Sequence, residues 1–97
     1  MLLEWDDRKN LENFRKHGLR FEDADTVLTG ETVTLFDNRF DYGEERFVTL
    51  GVLKGEVVTV IHTLRGEMLR IISMRKGSQR ERKIYQERHE KGSRHEG

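Results

Sequence analysis

The chain has 97 residues, enough for one compact domain with a modest core and too few for two. Charged residues make up 37% and apolar ones 34%, and cysteine is absent, so the surface must be densely charged and neither disulfides nor thiolate metal sites can hold the fold. Formal net charge is zero, which argues against a generally cationic coat for DNA or membrane, but residues 1–45 carry 12 Asp/Glu against 6 Lys/Arg and residues 46–97 carry 6 against 12.

The N-terminal MLLEWDDRKN lacks the basic start and apolar run of a signal peptide, and no segment approaches the roughly 20 apolar residues of a membrane span, so a cytoplasmic protein is expected. Leu2 to Trp5 suits an edge strand, and Asp6 or Asp7 behind it can cap a helix. That helix is expected to run to about His17, with Leu11 and Phe14 three apart on its inward face and Gly18 as a left-handed C-terminal cap. In FEDADTVLTG a second helix places Phe21, Ala24, Val27 and Leu28 on one face, gathers acids in its first turn and closes at Gly30.

From Thr32 the pattern becomes strand-like in TVTLF and then polar in DNRFDYGEE, a loop. Three strands follow, RFVTLGVL, EVVTVIHTL and EMLRIISMR, linked through Lys54-Gly55 and Arg65-Gly66 as antiparallel hairpins. Two-residue turns at both links would put Val48, Leu50, Val52, Val57, Ile61, Met68, Ile72 and Met74 on one face beneath the two helices. The opposite face would carry Phe47, Val58, Val60, His62, Leu69, Ile71, Ser73 and Arg75, a partly open concave surface. Ser78-Gln79-Arg80-Glu81 has the S-x-x-E form of a capping box, which predicts a C-terminal helix turning Ile84 and Tyr85 inward. The segment from His89 has no hydrophobic anchor, so a domain over 1–88 and a flexible tail over 89–97 are expected. The order β-α-α-β-β-β-β-α makes an α+β domain with helices packed on an antiparallel sheet.

No phosphate-binding glycine loop, no Gly-x-Ser-x-Gly elbow and no close grouping of metal ligands occurs, and neither metal nor other cofactor is expected. What remains is arginine. Arg65 lies in a hairpin turn, Arg75 ends a strand, and Arg80 and Arg82 fall in the first turn of the capped helix. A guanidinium fork suits phosphate because it offers charge and two hydrogen bonds in one plane. In so charged a chain most arginines are solvated, and Arg80, Arg82 and Arg88 can pair with Glu81 and Glu87; Arg65 and Arg75 are least easily explained that way. His17 fits a general acid or base and equally a cation at a helix C-terminus. Glu44 and Glu45 fit a base, arginine partners or solvated acids.

Three stretches, WDDRKNLENFRKHGLRFEDADTVL, YGEERFVTLG and HTLRGEMLRIISMRKGSQRERKIY, resemble in order and spacing the BrnT family of bacterial toxins, the toxin half of BrnT–BrnA toxin–antitoxin systems. The likeness covers almost the whole chain, although the family pattern usually has WDP in place of Trp5-Asp6-Asp7 and RIISAR-A where this chain has Met74 and Gly77. The resemblance implies a RelE-like ribonuclease fold, metal-independent cleavage of RNA with arrest of translation, and a BrnA-like ribbon-helix-helix antitoxin. Through that antitoxin the complex would bind operator DNA and repress its own operon. It also implies catalytic roles for Arg65, Arg75 and Arg80, with His17 of KHG and Glu45 of GEER as acid, base or positioning groups. RNA phosphate contacts would come from Arg65, Arg75, Lys76, Arg80 and Arg82, while Tyr85 of RER-x-x-Y fits either the site or the core. A non-enzymatic alternative also fits these residues: a binding module or co-repressor whose basic sheet surface holds the antitoxin.

Overall fold

A computed structural model of the chain describes residues 2–37 and 43–94, with side chains through His89. The elements run β1 (Leu3–Glu4), α1 (Asp7–His17), a 3-10 turn (Phe21–Asp23), α2 (Ala24–Thr29), β2 (Val33–Asp37), β3 (Arg46–Leu53), β4 (Glu56–Arg65), β5 (Met68–Lys76) and α3 (Gln79–Arg94). The strands form one sheet in the order β1-β5-β4-β3-β2, antiparallel except for the short edge pair of β1 and β5. The mixed α+β class follows from the alternation of helical and strand periodicities. Residues 38–42 of the expected loop and 95–97 of the expected tail lie outside the described residues; between them the backbone of α3 is helical to Arg94. None of the described helices is long and apolar enough to cross a membrane.

Local chemistry sets the ends of these elements. Asp6 caps α1 by accepting from the Lys9 N–H at 3.0 Å, and Gly18 closes it in the left-handed region at φ 72°, its N–H bound to the Phe14 carbonyl. Between β3 and β4, Lys54 and Gly55 both take positive φ, 51° and 80°, the signature of a tight two-residue hairpin that matches strand twist. The next hairpin differs from expectation. Arg65 is inside the ladder, paired with Met68, so the turn residues are Gly66 and Glu67.

The sheet carries a small core on each face. On one, Phe21, Ala24 and Val27 from the N-terminal helical segment pack against Val58, Val60, Ile71 and Met74. On the other, Tyr85 of α3 packs with Val33 and Leu50, flanked by Leu35, Val48, Val57 and Ile84. The expected face assignment is therefore corrected in two ways. Val48, Leu50 and Val57 do share a face, but α3 covers it; the 3-10 turn and α2 take the face of Val58, Val60, Leu69 and Ile71. In addition, Ile61 pairs with Ser73 while His62 pairs with Ile71, so Ile72 is an extra residue in β5, a β-bulge. Because side chains alternate with a period of two, the bulge turns Met74 toward Phe21 and puts Ser73 and Arg75 on the α3 face, opposite to their expected sides.

Gly51 shows how closely α2 approaches. A Cβ there would lie 2.7 Å from Val27 Cγ1 and 3.1 Å from the Val27 carbonyl oxygen, so only glycine lets the helix sit this low on β3.

The inward face of α1 is also corrected. Leu11 and Phe14 are exposed, with Arg20 lying over the Phe14 ring at 4.6 Å, and the buried residue of the helix is Asn13. The reason is the place where α1 packs. It lies along the outer margin of β5 beyond the short β1, where strand backbone rather than apolar side chain needs covering. Asn13 supplies a side-chain amide there. Its Nδ2 donates to the carbonyls of Met74 and Leu19 at 2.8 and 3.0 Å, and its Oδ1 accepts from the Met74 N–H at 3.1 Å.

Candidate functional site

The bulge at Ile72 and the capping box at Ser78 together build a polar site where β4, β5 and α3 meet. Arg75, the last residue but one of β5, stands beside its cross-strand neighbour Thr59 on the α3 face. Gly77 lets the chain turn closely over β4: its N–H binds the Val57 carbonyl at 2.9 Å, and a Cβ would fall 3.0 Å from Val57 Cγ1. Helix α3 then begins with a reciprocal capping box, the Ser78 N–H donating to Glu81 Oε1 at 2.8 Å and the Glu81 N–H to Ser78 Oγ at 3.1 Å. The same Glu81 carboxylate accepts both arms of the Arg75 guanidinium, at 2.6 and 3.0 Å, and the Thr59 hydroxyl at 3.0 Å. Burial pushes this carboxyl upward, but hydrogen bonds from Arg75, Ser78 and Thr59 and the charge of Arg75 outweigh it and hold its pKa at about 2. Glu81 is therefore ionised throughout the neutral range.

Arg75 and Arg80 line one open groove of about 460 Å³, together with Leu35, Asp37, Val48 and Glu81. Arg80 is exposed and has no hydrogen bond or ion pair among the described residues. Arg75 uses only its two terminal nitrogens on Glu81, which leaves its Nε–H and the outer Nη hydrogens unengaged. The groove thus offers one cation held by a carboxylate and one exposed cation without a partner among the described residues.

The other expected site residues are placed elsewhere. Arg65 shares the face of Arg75 but sits six residues along β4 from Thr59, roughly 20 Å away at 3.3 Å per residue, so the two do not meet on one phosphate. Its guanidinium lies 3.9 Å from Glu44, which also lies 3.9 Å from Arg46. Glu45 has an exposed side chain, and its backbone carbonyl accepts from the Thr63 hydroxyl. Lys76 pairs with Glu56 across an exposed 3.6 Å gap, and Arg82 turns back to the Gly77 carbonyl at 2.9 Å. Neither lines the groove of Arg75. His17, at the end of α1, borders a separate cavity of about 260 Å³ with Lys9, Lys16, Asn13, Ile72 and Ser73. Ser73 in turn lies two residues before Arg75 on the same strand face, about 7 Å apart, but the His17 cavity and the arginine groove share no lining residue. Tyr85 belongs to the core, its hydroxyl donating to the Glu31 carbonyl at 2.9 Å.

Two residues of this arrangement escaped the sequence. Glu81 was legible as a helix cap but not as the partner of Arg75, and Thr59 had no local signal at all, since only the pairing of β4 with β5 brings it there. Among the described residues no group of three His, Cys, Asp or Glu side chains is placed to hold a metal ion.

No curated protein matches the chain. A family model does, described as "Ribonuclease toxin, BrnT, of type II toxin-antitoxin system", and its match spans residues 5–81, from Trp5 through strands β2 to β5 to the carboxylate that grips Arg75. With more than half of its length matched, and with the matched span containing every element from α1 to the first turn of α3, the chain belongs to the BrnT family of ribonuclease toxins of type II toxin–antitoxin systems.

Proposed function

We propose that this protein is a metal-independent endoribonuclease of RelE-like type that acts in the cytoplasm, cuts RNA and so arrests translation. A BrnA-like ribbon-helix-helix antitoxin neutralises it, and the pair represses its own operon through operator DNA bound by the antitoxin. The observation that carries the enzymatic part is the groove that Arg75, from the end of a strand, and Arg80, from the start of a helix, line together between the sheet and α3. RNA can cleave itself when its own 2′-hydroxyl attacks the adjacent phosphorus and the P–O5′ bond breaks, leaving a 2′,3′-cyclic phosphate and a 5′-hydroxyl. The protein must then supply a base for the 2′ proton, an acid for O5′ and cations for the charge that builds on the phosphate oxygens.

In this reading Arg75 and Arg80 hold the scissile phosphate and stabilise that charge. Arg65, about 20 Å along the same face, contacts a different phosphate of the strand, and Lys76 and Arg82 add positive charge beyond the groove, on a neighbouring cavity with Glu56 and Gln86. His17, whose cavity is lined in part by Ser73, two residues before Arg75 on β5, and Glu45 are the acid–base candidates. The alternative, a non-enzymatic module holding its antitoxin, draws on the same basic face.

The test is purified protein incubated with RNA in EDTA. Cleavage giving cyclic phosphate and 5′-hydroxyl ends is expected, and Arg75→Ala should abolish it with an unchanged circular dichroism spectrum. Intact RNA at high concentrations of folded protein would leave only the binding-module alternative.

A further inference from the structure

Glu81 is held more firmly than a helix cap requires. A capping box needs one bond, from the Ser78 N–H to the carboxylate, and that bond is present at 2.8 Å. Three more arrive from the sheet: two from Arg75 and one from Thr59, a residue with no surface exposure. Thr59 and Arg75 are direct cross-strand partners, so β4, β5 and α3 each contribute a group to a single four-bond knot at the floor of the arginine groove.

We propose that Glu81 is the positioning residue for Arg75 in RNA cleavage, an inference that rests on the ribonuclease reading above. A free arginine side chain samples many rotamers and must be ordered when phosphate binds. Here the end-on bidentate contact fixes the guanidinium plane beforehand and leaves the side-on fork, Nε–H with the adjacent Nη–H, available to the groove. A cation already oriented toward the developing phosphate charge needs no rearrangement as that charge forms. Glu81 itself touches no RNA in this arrangement; it acts through Arg75.

The experiment is steady-state and single-turnover RNA cleavage by Glu81→Gln, alone and in an Arg75→Lys background. Glutamine keeps the cap and the volume but puts an amide NH₂ where one Arg75 arm needs an acceptor. A fall in kcat of about 10- to 100-fold is expected, since small misplacements of a reacting group cost up to about 10²-fold, with KM changed by less than about threefold. In the Arg75→Lys background, where no fork remains to be aimed, Glu81→Gln should change kcat by less than about twofold. A purely structural pair would give equal losses in both backgrounds, and that result overturns the proposal. So does a wild-type kcat for Glu81→Gln while Arg75→Ala is inactive, an outcome that leaves the ribonuclease reading intact. If Arg75→Ala stays fully active, the reading of the site falls first. Should Glu81→Gln fail to fold, Thr59→Val removes one of the carboxylate's anchors, and a kcat unaffected by that change refutes the inference in the same way.

Discussion

Asn13→Ala is the most informative change to the fold, because it separates the architecture observed from the one the hydrophobic pattern suggests. The substitution removes the two donations to Met74 and Leu19 carbonyls and the acceptance from the Met74 N–H. It strips this partner from three backbone groups, two on Met74 of β5 and one on Leu19 after α1. A buried hydrogen bond contributes about 1 kcal/mol net and a stranded buried group costs roughly 1–3 kcal/mol. The cavity beside Asn13, lined by Lys9, His17 and Ser73, lets water reach part of the site, so a total near 3 kcal/mol is expected. Against a typical stability of about 5–15 kcal/mol this is a large fraction, and it corresponds to a drop in Tm of roughly 15 °C for a chain of this size. Urea unfolding followed by circular dichroism would measure it, with the m-value unchanged. Leu11→Ala is the control: Leu11 is 50% exposed, so its truncation should cost below about 1 kcal/mol. If Leu11→Ala proves more damaging than Asn13→Ala, α1 packs by its apolar face after all and the argument fails.

Other outcomes follow from the same structure. The Glu81 carboxyl lies at about 2 in the fold against an ordinary 4.5. Its contribution, on the order of 3 kcal/mol, is therefore present above pH 4.5 and lost as pH falls toward 2; the stability gap between wild type and Glu81→Gln in urea melts should narrow from pH 6 to pH 3. Burial pushes the His62 pKa down from 6.5, so below pH 6.5 the unfolded chain takes up a proton that the fold resists. Stability should fall with pH in that window until the folded pKa is passed, and a His62→Gln variant should show a flatter profile there. Gly51→Ala places a methyl 2.7 Å from Val27 Cγ1, which should lift α2 and cost about 1–3 kcal/mol by calorimetry.

Much of this was legible from local chemistry. Asp6, Gly18, Lys54-Gly55 and the Ser78–Glu81 box each mark a terminus through a bond or a φ angle confined to a few residues, and each is found where the sequence places it. The errors arose wherever a long-range partner decided the outcome. Leu11 and Phe14 have helical spacing, but the surface awaiting α1 is strand backbone, so a polar amide is buried instead. The bulge has no signature in RIISMR, yet it reverses Ser73, Met74 and Arg75. It was the unread step in the site as well: without that reversal Arg75 would point toward Phe21, away from Glu81 and Arg80. Arg65 and Arg75 carry one expected task in the resemblance, but they lie at opposite ends of the β4–β5 ladder and the strand length separates them.

The two margins of the sheet are not equivalent. One is sealed twice, by β1 on Leu69 and Arg70 and by the Asn13 amide on Met74; the other ends at β2, with no strand on its outer side among the described residues. As a building block the molecule is thus asymmetric: β5 has no room for an additional strand, and one joining the sheet would have to lie along β2. A peptide laid along that margin would have Phe36 beside one of its faces and Leu35 and Asp37, walls of the arginine groove, beside the other. Any such addition would extend the wall of the groove, so lateral growth of the sheet and access to Arg75 would be coupled by geometry alone.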